Sequence, residues 1–169
     1  MAITIKKVAS KKDLKTFIRF NYTLYKDVPY AVPELYEDMV DTLTPGRNPA
    51  LEFCEFACFL ALKDGVTLVG RVAAIINKRA NARWGKKAVR FGWIDFIDDL
   101  EVSTMLLDAV VNFGRQYGME EIEGPLGFTD MDPEGMLVEG FQELGTMATI
   151  YNFPYYPVPM KKLGYEKAA

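Results

Sequence analysis

Apolar and polar positions alternate over Ile3–Val8 (ITIKKV), which reads as a strand, and the period then changes. Ser10 stands three residues before Asp13, a variant of the capping box that starts a helix. Leu14, Phe17, Ile18, Asn21 and Tyr25 fall on one helical face, so this helix is expected to reach about Lys26. Pro29 and Pro33 break the pattern, and Glu34–Leu43 is expected to form a second, shorter helix. Glu55–Lys63 (EFACFLALK) and Thr67–Asn77 (TLVGRVAAIIN) read as strands of a hairpin turned at Asp64-Gly65. A basic loop is expected next, then a third consecutive strand over Val89–Ile97 (VRFGWIDFI). The clearest helix follows, with Val102, Met105, Leu106, Ala109, Val110, Phe113 and Tyr117 on one stripe, ending near Gly118. Glu120–Gly124 reads as a last strand, leading into a proline-broken tail. The order β, α, α, β, β, β, α, β mixes antiparallel hairpins with one late βαβ unit.

The chain of 169 residues is read as one domain over 1–169, with half its residues apolar and a quarter charged, the balance of an ordinary globular protein. A net charge of −3 gives no footprint for nucleic acid, which needs clustered Lys and Arg. The basic run from Lys78 to Lys87 is interrupted and reads as a solvated loop. No stretch approaches the roughly 20 apolar residues of a membrane span, and the first residues lack the apolar core of a signal peptide. A cytoplasmic address is the expectation, with Cys54 and Cys58 as reduced, buried thiols.

There is no histidine. That absence removes Ser-His-Asp and Cys-His nucleophile systems, the usual zinc sets and the commonest general base. Catalysis would have to use carboxylates, tyrosines, backbone amides or a cofactor.

The stretch TDMDPEGMLVEGF, residues 129–141, resembles the start of a calcium loop. Asp130, Asp132, Glu134 and Gly135 fit its opening, but the closing bidentate position would be Phe141, and Glu139 comes too early. A turn over Asp132-Pro-Glu-Gly135 with proline at its second position is the better reading, with Thr129 or Asp130 capping a short helix. No metal is expected.

The element order from Ile3 to Gly127 resembles the GNAT superfamily of acyl-CoA-dependent N-acyltransferases. Gly124-Pro125, Gly135-Met136-Leu137, Gly140-Phe141, Tyr151-Asn152, Pro154-Tyr155-Tyr156 and Gly164-Tyr165 resemble a GP…GLL…GF…YN.PYY…GF pattern of an uncharacterised bacterial branch. The resemblance implies a mixed, mostly antiparallel α/β (α+β) sheet flanked by helices. It also implies acetyl-CoA or another acyl-CoA as co-substrate and an amine as acceptor. Aligned on Leu106-Leu107, the family's pyrophosphate loop falls on Asp98, Asp99, Glu101 and Ser103. Three carboxylates there suit a helix N-terminus and repel a phosphate, so weak coenzyme A affinity is expected.

The resemblance implies cofactor contacts from Phe96, Ile97, Val102, Ser103 and Asn152, and a carbonyl polarised by a backbone amide of Trp93–Ile97. The family's acid, a tyrosine four residues before the last Gly-aromatic pair, falls on Met160, and Tyr156 lies one turn earlier. Tyr156 is therefore the candidate acid, although Pro157 and Pro159 argue against a regular helix there. Glu139 and Asp130 are the candidate bases. The aromatic run from Tyr151 fits either packing or ligand contact. The alternative function is a catalytically silent GNAT-like module that binds a partner or scaffolds a dimer. The last strand has only Tyr165–Ala169 to draw on, so a homodimer through Tyr151–Tyr165 is expected.

Overall fold

The computed structural model describes residues 2–146 and 150–167. Five strands form one sheet in sequence order: β1 (Ile3–Lys7), β2 (Cys54–Lys63), β3 (Thr67–Asn77), β4 (Ala88–Phe96) and β5 (Glu121–Glu123). The first four pair antiparallel and β5 runs parallel to β4. The helices are α1 (Lys11–Leu24), α2 (Tyr36–Thr42), α3 (Lys78–Trp84), α4 (Leu100–Gln116) and α5 (Pro157–Lys162), and a 3-10 turn spans Pro49–Glu52.

β3 is buried on both faces from Val69 to Asn77, and its alternation assigns the faces. Val72, Ala74 and Ile76 join Val102, Leu106, Val110 and Phe113 of α4 in one core cluster. Ala73 and Ile75 join Phe17 and Ile18 of α1 and Met39 of α2 in the other. Ser10 caps α1 as expected: its hydroxyl accepts from Asp13 N at 3.1 Å while Asp13 accepts from Ala9 N.

Four local expectations differ from the structure. Lys78–Trp84 is α3 rather than a loop, capped at its start by Asn77, which accepts from Ala80 N, and at its end by Gly85 at φ 62°. The segment after Tyr156 does form a helix, α5. Pro157 and Pro159 occupy its first turn, where no amide has an intrahelical acceptor, so neither proline removes a bond. The acidic stretch turns over Thr129–Asp132, three residues earlier than expected: Asp132 N donates to Thr129 O at 3.1 Å, and Asp132 Oδ2 accepts from Phe128 N and Thr129 N. No short helix forms there. Of the strand expected after Gly164, residues 165–167 are non-strand, and 168 and 169 lie outside the described residues.

Candidate functional site

β4 is where the sheet opens. Among the described residues it pairs with β5 only through Ala88–Arg90, and its later residues have no neighbouring strand on that side. The chain leaving β5 keeps one backbone bond to it, Leu126 N to Phe91 O at 2.9 Å. Gly92 makes this approach feasible, since a Cβ there would lie 2.3 Å from Leu126 O. Towards β3, Arg71 pairs with Asp95 and Ala73 with Gly92, so Trp93 and Ile94 face Val72 alone. This two-against-one β-bulge holds Trp93 at φ 44°, a conformation that non-glycine residues rarely adopt. Strain of this kind clusters at functional sites.

Past the bulge, Asp95 and Phe96 anchor a buried polar network. Arg71 and Asp95 are 4% and 3% exposed, and Arg71 Nε donates to Asp95 Oδ2 at 2.9 Å. Asn21 Nδ2 donates to the same oxygen at 3.0 Å, while Arg71 also donates to Phe17 O. Asp95 Oδ1 accepts from the Tyr156 hydroxyl at 2.8 Å. That hydroxyl accepts from Tyr25 at 2.7 Å and from Phe96 N at 3.3 Å. Tyr155 donates to Phe96 O. Two successive tyrosines thus cap both polar groups of Phe96 on the open edge of β4. Burial, then the Asp95 carboxylate, push the Tyr156 phenol well above its ordinary range. Tyr25 is likewise raised, by burial first. Among the described residues, no buried side-chain nitrogen or oxygen lacks a partner.

Beside this network lies a cavity of about 280 Å³, walled by α1, the linker from Lys26 to Glu34, the bulge, and from the later loops Pro125, Pro133, Gly135, Met136, Ile150, Tyr151, Asn152 and Tyr156. Its apolar lining includes Ile18, Val28, Val32, Met39, Met136 and Ile150. Asn21, Tyr25, Glu34, Arg71, Asp95 and Tyr156 bring its polar groups. Tyr22 pins the linker by donating to Glu34 O at 2.7 Å. On the far wall, Asn152 accepts from Leu137 N and donates to Leu137 O. Glu34 is half-buried, and its Oε1 accepts from the Trp93 indole at 3.0 Å. Burial raises its pKa above the ordinary value, opposed by the Trp93 bond and Arg71.

The sequence-derived candidates separate in this setting. Tyr156 and Asn152 line the cavity. Glu139 and Asp130 are exposed and do not line it. Phe96 sits at the open edge, and Ile97 donates its amide to Val69 O. The Val102 and Ser103 side chains are turned into the core, each 0% exposed, with Ser103 bonded to Leu100 O. At the expected phosphate position Asp99 caps α4, accepting from Glu101 N at 2.9 Å, so its own carboxylate takes up a helix-start amide. Tyr156 is only 1% exposed within the chain, so the dimer expectation loses one of its aromatic contacts. Arg71, Asp95, Tyr25 and Glu34 were not among the candidates. An Arg and an Asp inside two apolar strands were the available signal for the first two.

A mixed five-stranded sheet that opens after β4, with helices on both faces, defines the GNAT acetyltransferase fold. The chain matches a tandem GNAT protein from the clavulanic acid biosynthesis pathway with a TM-score of 0.61 at 12% identity, over 96% of this chain and 43% of that one. A structure from Clostridium acetobutylicum, described as a predicted acetyltransferase with acetyl-CoA, matches with a TM-score of 0.57 at 12% identity, over 99% and 92% of the two chains. A transcriptional regulator from Bacillus halodurans C-125 matches with a TM-score of 0.55 at 11% identity, over 99% and 95%. The fold is therefore shared by proteins of different description.

Two curated proteins are more similar in sequence. Protein YghO of Escherichia coli (strain K12) is 33% identical over 158 residues, covering 94% of this chain and 40% of that protein. The bacterial ceramide synthase of Caulobacter vibrioides (strain NA1000 / CB15N) is 31% identical over 163 residues, covering 95% and 42%. The chain thus spans about two fifths of the length of these relatives. No family model matches it. Among the described residues, no helix is long and apolar enough to cross a membrane.

Proposed function

We propose that the chain carries an N-acyltransferase site that moves an acyl group from an acyl thioester, such as an acyl-CoA, to an amine. The observation that carries this reading is the open edge of β4 beside a cavity with an apolar lining. An extended thioester arm can lie along that edge as an extra strand, as peptides do on exposed sheet edges. The bulge at Trp93–Ile94 displaces backbone groups from the regular ladder, which suits an amide that polarises a carbonyl. The fold neighbours and the name of the ceramide synthase relative, which denotes an N-acylated product, point the same way.

Tyr156, whose one hydroxyl hydrogen is given to Asp95, fits a positioning role at the cavity wall better than that of an acid that ionises. A phenolate beside Asp95 would place two negative charges in one buried network, and the raised pKa keeps the hydroxyl protonated. At the start of α4, Asp98, Asp99 and Glu101 are unfavourable to a pyrophosphate, so the nucleotide end of coenzyme A is expected to add little. Titration calorimetry with octanoyl-CoA and octanoyl-pantetheine tests this: both should bind, with affinities within about tenfold of each other. The Asp98→Arg, Glu101→Gly variant should favour the CoA ester alone. Absence of binding by both esters would remove the reading.

The scaffold reading has one observation in its favour, the two tyrosines already capping Phe96 where a thioester arm would pair. Under that reading neither ester binds.

A further inference from the structure

We infer that Glu34 is the carboxylate that receives the cationic head of the acceptor, and that the apolar walls around it take an aliphatic chain, so that the site selects primary amines carrying a long apolar tail. This deepens the acyl-transfer reading and rests on it for the chemistry, though not for the binding.

The cavity holds two carboxylates in different situations. Asp95 is neutralised by Arg71 and further bonded by Asn21 and Tyr156. Among the described residues Glu34 has no salt-bridge partner, and its side-chain bond is from a neutral donor, the Trp93 indole. The groups facing it are Arg71 from β3, Asp95 from β4, Asp132 from the loop after β5, and Tyr22 from α1, with Lys26 also lining the cavity. Arg71 is committed to Asp95. An incoming ammonium would supply the missing counter-charge, in a partly desolvated setting where such a bond is stronger than in water. A carboxylate or phosphate head would meet Glu34 as a like charge.

The remaining wall has little to offer a second charge. Ile18, Val28, Ala31, Val32, Met39, Met136 and Ile150 contribute apolar surface from α1, the linker, α2 and the far loop. A small polar amine would leave that surface wet, whereas an alkyl tail gains roughly 0.8 kcal/mol for each methylene it buries.

The same carboxylate completes the proton balance of acyl transfer. The ammonium gives one proton to Glu34, and the free nitrogen pair forms the C–N bond at the thioester carbonyl. The C–S bond breaks with its electron pair going to sulfur, and the second nitrogen proton goes to the thiolate. Glu34 then returns its proton to solvent. Burial raises the pKa of Glu34, which makes its carboxylate a stronger base than an exposed glutamate's.

The test is titration calorimetry of the full chain with dodecylamine, butylamine and 1-dodecanol, without any acyl donor. Dodecylamine should bind with one site per chain. Butylamine and dodecanol should each bind at least tenfold more weakly, one lacking the tail and the other the charge. Glu34→Gln should weaken dodecylamine at least tenfold and leave dodecanol unchanged. If that variant fails to fold, the unmodified protein gives the same answer: dodecylamine affinity should fall as pH is lowered through the Glu34 ionisation. Equal binding of dodecanol and dodecylamine, or pH-independent amine binding, overturns the inference. Amine binding without acyl transfer would sustain this inference and defeat the transferase reading.

Discussion

Arg71 and Asp95 stand directly opposite each other on β3 and β4, and two guanidinium nitrogens of Arg71 each lie 2.9 Å from Asp95 Oδ2. The pair closes the register immediately beyond the bulge, and through Asp95 it fixes the Tyr156 hydroxyl. It is one ion pair buried in a sheet whose other inward positions are almost wholly apolar. Its effect is to orient groups at the cavity wall, because burying a pair seldom adds net stability while removing one partner is costly.

Arg71→Met should therefore be strongly destabilising, by about 3–5 kcal/mol, since Asp95 would be left as a buried charge. At about 2–4 °C per kcal/mol for a chain of this size, the melt should fall by about 6–20 °C. A thermal melt at neutral pH reads this, and a variant within about 2 °C of the parent would show the pair to be dispensable.

Glu34 gives a prediction of opposite sign. Its folded pKa lies above the ordinary 4.5, so the folded state holds this proton more tightly than the unfolded chain. The associated stability is fully present below about 4.5 and is lost as pH rises through the folded value. Glu34→Gln removes the cost of a buried charge while keeping an acceptor for Trp93. The variant should melt above the parent at pH 8, and the gap should close as pH approaches 4. An unchanged or lower melt at pH 8 would show that the carboxylate is comfortable where it is.

The cysteines should be inert in the native protein. Burial pushes the Cys58 thiol up to about 12 and Cys54 up to about 11, and both side chains are buried and unpaired. A thiol-reactive dye at pH 8 should label the native chain slowly and both thiols at once in guanidinium chloride. Rapid native labelling would mean that β2 opens readily at its start.

Much of the fold was legible because its signals are local and periodic. The stripe from Val102 to Phe113 and the strand Thr67–Asn77 needed only spacing. α3 escaped because none of its residues is buried, so it carries no core stripe. Its caps, Asn77 and Gly85, were in plain view but had no periodicity to bracket. α5 is masked by its prolines, which break a helix interior but are harmless in the first turn.

The site was less legible for a different reason. Arg71 and Asp95 stood out as charges within apolar strands, but their pairing depends on a bulge that shifts the register. Glu34 lies just after Pro33 in an irregular linker, and only the tertiary fold brings it to Trp93. Asp130 and Glu139 drew attention by density of charge, and the chain leaves both in solvent.

The central claim is amide formation at the cavity beside the open edge of β4. Incubating the protein with octanoyl-CoA and dodecylamine, and following N-dodecyl octanamide by mass spectrometry together with released thiol, tests it most directly. The account predicts amide and thiol in equal amounts, with both falling at least tenfold in Glu34→Gln. Thiol released without amide, or no product while both compounds demonstrably bind, would contradict it.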